Sequence, residues 1–267
     1  MSKLKIKHPV IRYHGGKFRL AKWILSYFPD HRCYVEPFGG VASVLMQKDR
    51  SYAEVYNDLD SEVVNLFKVL RDPELNMKLQ ETCLLTAYSR DEFMLAKEFT
   101  EDPLERARRM VVRACMGFGS AAGLNGNSGF QSDSKREYSI YSHLWAKYPK
   151  NLSSVCQRLQ GVIIENKPAL DLIKKHDTAD TLFYLDPPYM PESRVAGNRY
   201  YNFEMTNDQH NELLQTLKSV SGKVVISGYN SDLYNDELSG WRKVTKEARI
   251  SAGRGTGIRT ECLWMNY

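Results

Sequence analysis

The sequence is short of several features that would settle its class at once. No apolar run approaches the roughly 18–20 residues of a membrane-spanning helix, and Met1–Lys7 carries no apolar signal core, so a cytoplasmic chain with no membrane partner is expected. Cysteine is sparse: Cys33, Cys83, Cys115, Cys156 and Cys262 are scattered, odd in number and without a CxxC pair. This excludes a disulfide scaffold and a zinc or redox knuckle, and predicts reduced structural thiols. The histidines show neither ligand spacing nor HExxH, so no metal is expected. GxGxxG and GxxxxGK[ST] are both missing, which removes the common dinucleotide and phosphate-loop readings. No internal repeat or low-complexity tract occurs.

What is present is ordinary in bulk and informative in detail. At 267 residues the chain is long enough for one large domain, or for a core domain carrying an inserted lobe. A net charge of +5 permits a polyanionic partner without demanding one. The stretch Thr181-Leu182-Phe183-Tyr184-Leu185 reads as a buried strand, and Asp186-Pro187-Pro188-Tyr189 must end it, because proline cannot donate to a ladder. An acid, two rigid turns and a ring are thereby fixed at the carboxyl end of a strand, where open α/β sheets bind ligands.

The first 71 residues follow the same logic. Tyr13-His14-Gly15-Gly16-Lys17 precedes an amphipathic helix predicted from Lys17 to Phe28, ended by Pro29. The strand Cys33-Tyr34-Val35 runs into Glu36-Pro37-Phe38-Gly39-Gly40 and a predicted helix from Val41 to Gln47. A second strand, Tyr52–Tyr56, ends at Asn57-Asp58 before a helix opened by Ser61. Two successive βα units predict a doubly wound, mostly parallel α/β sheet.

Residues 72–160 read instead as helices, among them one starting at Asp102-Pro103 that carries Arg106, Arg108, Arg109 and Arg113. A long Gly/Ser/Asn-rich stretch, 117–134, follows, then Lys135 and Arg136, with Tyr138, Tyr141 and Trp145 beyond; loops of that length are functional or disordered. The boundaries expected are 1–71 and 161–267 for the sheet domain and 72–160 for an inserted lobe. Strands at Val162–Glu165 and Lys223–Ser227, helices from Pro168 and Thr206, and a terminal run Glu261–Met265 resume the α/β rhythm.

Gly39 and Gly40 allow close backbone approach, and Asp58 is placed to accept hydrogen bonds from ribose hydroxyls. Glu36 would repel a pyrophosphate. An acid there suits a cofactor bearing positive charge, such as the sulfonium and ammonium of S-adenosyl-L-methionine.

These segments together resemble the Dam-like DNA adenine-N6 methyltransferase family: YHGGK at Tyr13–Lys17, EPFGG at Glu36–Gly40, Asn57-Asp58 and DPPY at Asp186–Tyr189, in family order over nearly the whole chain. DPPY alone also occurs in enzymes acting on cytosine N4, RNA bases or glutamine. One departure is Ala42, standing where the family's F-x-G-x-G has its second glycine. The resemblance implies a Rossmann-like methyltransferase fold with an inserted, mainly helical DNA-recognition lobe. It implies a site-specific enzyme that transfers a methyl group from S-adenosyl-L-methionine to an adenine flipped from double-stranded DNA. Alternatives are a cytosine-N4 or RNA adenine methyltransferase, or an inactive DNA-binding relative.

By the same resemblance Tyr13, Gly15, Gly16, Lys17, Glu36, Phe38, Gly39, Gly40, Asp58 and Asp186 hold the cofactor. Asp186, Pro187, Pro188 and Tyr189 are catalytic, with Tyr189 stacking on the base. Arg106, Arg109, Arg113, Asn125, Asn127, Lys135 and Arg136 are the lobe residues expected on DNA. The simpler reading of the arginines is a solvated face with ion pairs to Glu105. Tyr138, Tyr141 and Trp145 read more simply as lobe core. Arg199, Tyr200 and Tyr201 offer a lid over the flipped base, and Arg254, Gly255, Gly257 and Arg259 either touch a phosphate or connect two strands. Recognition sequence, biological role and oligomeric state stay open.

Overall fold

The computed structural model describes residues 6–119, 128–135, 140–190, 203–252 and 255–267, the side chains of 249–252 and 255–256 excepted. The strands β1 (Cys33–Glu36), β2 (Ala53–Asn57), β3 (Val162–Glu165), β4 (Thr181–Leu185), β5 (Lys223–Tyr229), β6 (Arg242–Ala252) and β7 (Gly255–Met265) form one sheet in the order β3-β2-β1-β4-β5-β7-β6. Strands β1 to β5 are parallel; β7 runs antiparallel to β5, and β6 antiparallel to β7. The chain builds outward from β1 to β2 and β3, then returns to the other side of β1 for β4. That reversal opens a crevice between the carboxyl ends of β1 and β4, and Val35 pairs with Phe183 in register just below it.

Strand alternation assigns the two faces. Tyr34, Tyr56, Leu182, Tyr184, Val225 and Leu263 face one apolar layer; Val35, Val55, Phe183, Leu185, Val224 and Trp264 face the other. The first layer is covered by α2 (Ser61–Arg71), whose apolar stripe is buried and whose start is capped by Asp60 accepting from the Glu62 N–H at 2.9 Å. The second is covered by α8 (Ala169–His176), α9 (Asn207–Ser219) and α10 (Asp232–Glu237). Helix α9 begins with a reciprocal capping box between Thr206 and Gln209.

Residues 72–160 hold α3 (Pro73–Leu85), α4 (Arg90–Leu95), α5 (Pro103–Met116), α6 (Tyr141–Lys147) and α7 (Leu152–Leu159), with an isolated bridge between Gly117 and Phe130. These helices share one continuous apolar cluster with α2 and the sheet. The segment is an insertion in sequence, yet it has no core of its own. Trp145 lies in that cluster, its indole N–H donating to the Thr86 carbonyl at 2.9 Å and its ring stacked on Tyr148. Arg158 of α7 reaches back under the sheet to Glu54 of β2, making bonds of 2.6 and 2.9 Å.

The structure differs from the sequence expectations in five places. The regular helix at the amino end, α1, spans only Ala21–Leu25; after it the backbone tightens into i to i+3 bonds at Tyr27 and Phe28. Val41–Gln47 forms successive turns and no regular helix, because Ala42 sits in the left-handed region at φ 51° and breaks the α geometry that its apolar spacing suggested. Helix α10 was not anticipated. Nor was strand β6, whose charged residues on both faces hide the strand period, as suits an edge strand. The stretch read as a basic connector belongs in part to β7, which contains Gly255, Gly257 and Arg259; Arg254 lies outside the described residues.

Candidate active site

The crevice at the switch point is a cleft of about 230 Å³. Its walls come from the segments after β1, β2 and β4, and from the turn before α1. Tyr13, Gly15, Gly16, Lys17, Glu36, Phe38, Gly39, Gly40, Asp58, Asp186 and Pro188 all line it. The two glycines after β1 have separate reasons. A Cβ on Gly39 would lie 2.2 Å from the Tyr56 ring, because the Gly39 N–H donates to the Asn57 carbonyl at 2.8 Å and pulls the loop against β2. Gly40 adopts φ +48°, and its N–H donates to Asp58 at 2.8 Å.

Glu36 ends β1 inside the protein, only 2% exposed. Burial, with the neighbouring Asp186 charge added, pushes its pKa up to about 8, although the Tyr34 hydroxyl donates to it at 3.3 Å. Burial likewise raises Asp58 to about 6, opposed by the backbone N–H groups of Asp60 and Gly40 that it accepts. Of the two acids, burial holds back the ionisation of Glu36 the more strongly.

Asp186, at the end of β4, is held on both sides. Ser227 of β5 donates to its Oδ1 at 2.9 Å, and Lys17 Nζ lies 2.9 Å from the same oxygen while also donating to the Gly15 carbonyl at 3.0 Å. The Lys17 ammonium stands 4.7 Å from the centre of the Tyr189 ring. Tyr189 packs against Tyr229, and its hydroxyl donates to Glu261 of β7.

Residues not singled out from sequence join the site. Ser43, Lys167, Phe203 and Met205 line the cleft, and the Ser43 hydroxyl is buried without a hydrogen-bond partner. Lys167 follows β3 by two residues, so its position at a strand's carboxyl end was the available signal. Glu261 carried a signal too: an acid opening an apolar strand that ends in Trp264 and Met265. Ser43 carried none.

The lobe arginines make the ion pairs of the simpler reading. Arg106 is paired to Glu62, Arg109 to Glu105 at 2.7 Å, and Arg113 is buried with Nη1 donating to the Ala96 carbonyl at 2.6 Å. Together with Arg108, which joins Glu105 and Glu92, they fasten α5 to its neighbours. Their guanidinium groups are engaged by partners within the protein. Lys135 is exposed; Asn125, Asn127, Arg136, Tyr138, Arg199, Tyr200 and Tyr201 lie outside the described residues. Among the described residues no helix is long and apolar enough to cross a membrane, no group of His, Cys, Asp and Glu gathers as a metal would need, and all five cysteines are free.

A mostly parallel sheet with acids gathered at its switch point, and a proline-locked turn beside them, places a binding crevice where open α/β enzymes bind their ligands. Residues 13–252 match the family model of the D12 class N6 adenine-specific DNA methyltransferases. The chain belongs to that family. It is similar to the DNA adenine methylase of Salmonella typhi, 25% identical over 276 residues that cover 99% of this chain and 96% of the relative. It is also similar to the DNA adenine methylase of Escherichia coli (strain K12), 24% identical over 280 residues with the same coverage. The Haemophilus influenzae DNA adenine methylase is 25% identical over 272 residues, covering 93% of this chain and 90% of the relative.

Proposed function

We propose that this adenine-N6 DNA methyltransferase uses S-adenosyl-L-methionine as donor, binds it in the cleft between β1 and β4, and methylates an adenine flipped out of duplex DNA. The observation that carries this reading is the meeting of Glu36, Lys17 and Asp186 in one cleft. The residues fit a cationic nucleoside donor. Burial raises the pKa of Glu36 to about 8, which a positive charge beside it would lower, the buried Ser43 hydroxyl has no hydrogen-bond partner among the described residues, and Gly40 lets the backbone approach closely. Tyr13, Gly15, Gly16, Lys17, Phe38 and Gly39 would complete the wall, with Glu36 toward the methionine part and Asp58 toward the ribose. When bound, the donor supplies a sulfonium-activated methyl group with a good leaving group already in place.

The chain's own groups then act by positioning and electrostatics. Adenine's amino lone pair is delocalised into the ring. The Asp186 carboxylate and the Pro188 carbonyl accept its two N–H groups and localise the pair on nitrogen. Pro187 and Pro188 lock these acceptors, Ser227 and Lys17 hold Asp186, and Tyr189 offers its ring for stacking against the flipped base. Lys135 and the 117–136 segment, with Asn125, Asn127 and Arg136, would meet the duplex.

Incubation with donor carrying a tritiated methyl group and duplex DNA, followed by nucleoside analysis, should place label in N6-methyladenine. Label in cytosine or only in RNA, or no label at all, would contradict the reading. Asp186→Ala should lower kcat by at least about 100-fold, as loss of one preorganised electrostatic group does, while sparing DNA binding.

A further inference from the structure

Glu261 is buried at 4% exposure on β7, far in sequence from every motif segment, and it is not among the groups that line the donor cleft. Its carboxylate nevertheless touches two of the site's central groups. Oε1 accepts the Tyr189 hydroxyl and lies 3.7 Å from Lys17 Nζ. Lys17 is therefore bracketed by Asp186 at 2.9 Å, Glu261 and the Gly15 carbonyl, and the Tyr189 ring lies beside the same ammonium. The strand that brings Glu261 here is rigid. Glu261 pairs with Tyr229 across the ladder, Tyr229 packs on Tyr189, and Cys262, Leu263 and Trp264 are fully or nearly fully buried.

A buried carboxylate carries a desolvation penalty that only well-placed partners offset, and here the partners are Tyr189 and Lys17. Truncating it would free the ring to rotate and would shift Lys17 toward Asp186 alone. We propose that Glu261 is a positioning residue for methyl transfer: it fixes the plane of the Tyr189 ring through the hydroxyl and sets how far Lys17 neutralises Asp186. The inference rests on the proposed roles of Asp186 and Tyr189. It adds to Ser227 and Lys17 a further anchor, supplied by β7.

The test compares Glu261→Ala, Glu261→Gln, Tyr189→Phe and Glu261→Ala/Tyr189→Phe by single-turnover methylation of a duplex DNA that the parent methylates, with donor Kd measured separately. Glu261→Ala should lower the transfer rate about 100-fold, as a misplacement near 1 Å does, with a much smaller change in donor Kd. Glu261→Gln retains an acceptor for the tyrosine hydroxyl and should recover much of that rate. Adding Tyr189→Phe to Glu261→Ala should cost little more, because the two share one interaction. A folded Glu261→Ala that transfers at the parent rate overturns the inference, as do effects of the two sites that simply multiply. Should Glu261→Ala and Glu261→Gln both fail to fold, Tyr189→Phe alone decides, since loss of the hydroxyl must slow transfer. A parent that methylates no adenine in any duplex sinks the proposed function instead, which keeps the two failures distinct.

Discussion

Glu36 is a buried acid with a pKa near 8, so at neutral pH most of it carries a proton while the cleft is empty. A cationic donor favours the carboxylate and lowers that pKa on binding. The sign follows: donor binding releases protons at pH values between the bound and free pKa, and affinity rises with pH until about 8. Calorimetry at pH 7 in buffers of different ionisation enthalpy should show net proton release, and Glu36→Gln should abolish it. Proton uptake, or release that survives Glu36→Gln, would contradict this. Ala42 makes a different residue-scale case. Its φ of 51° costs an L-residue roughly 1 kcal/mol, and glycine escapes that penalty. Ala42→Gly is expected to raise Tm by about 2 °C in thermal unfolding. A lower Tm would show that the turn after Gly40 is unstrained. The alanine is small enough to fit this fully buried position, so the departure from the glycine pattern bears on backbone strain more than on the cleft.

Among elements, the joint between α7 and β2 depends on one buried acid. Glu54 receives Arg158 in two bonds and Lys48 at 3.2 Å, with every partner nearly excluded from water. Burial pulls the Glu54 pKa upward, but its bonds to Arg158 and the charges of Arg158 and Lys48 outweigh this and hold it below the usual value. A depressed folded pKa means stability that is full above the unfolded pKa and is lost as pH falls through the folded one. Glu54→Gln should therefore cost about 3–5 kcal/mol at pH 7, since it strands two buried cations. Its stability should also fall less steeply than the parent's below about pH 4.3, the ordinary glutamate value. Thermal unfolding from pH 3 to 7 checks both; parallel curves would refute the assignment. Elements such as β3 and β4 were legible from the sequence because a short apolar run between turn signals has few alternatives. Strand β6 was not, since Arg242 and Lys246 interrupt the apolar side of the alternation that Val244 and Ala248 would mark, opposite Lys243, Thr245 and Glu247. The turns at Val41–Gln47 misled because apolar spacing reports burial and cannot report the φ of Ala42.

For the whole molecule, the order of strand-end motifs was enough to place a cleft, because a doubly wound sheet has one reversal and every carboxyl end of β1, β2 and β4 opens beside it. The sequence carried less about the insertion. Arginines at helical spacing look alike whether they face DNA or glutamates, and only the positions of Glu62, Glu92 and Glu105 decide between them. Insertion and sheet share one apolar cluster, so the segment that would meet DNA is mechanically continuous with the strands that hold Asp186.

The last strand also has a meaning in time. β7 enters the sheet between β5 and β6, and beyond it the Asn266 amide donates to Gly222 and the Tyr267 hydroxyl to the Tyr27 carbonyl. Lys17 is made long before its partner Glu261, which comes only when residues 255–265 are made. Tyr189 therefore gains the partner for its hydroxyl only once β7 has been made.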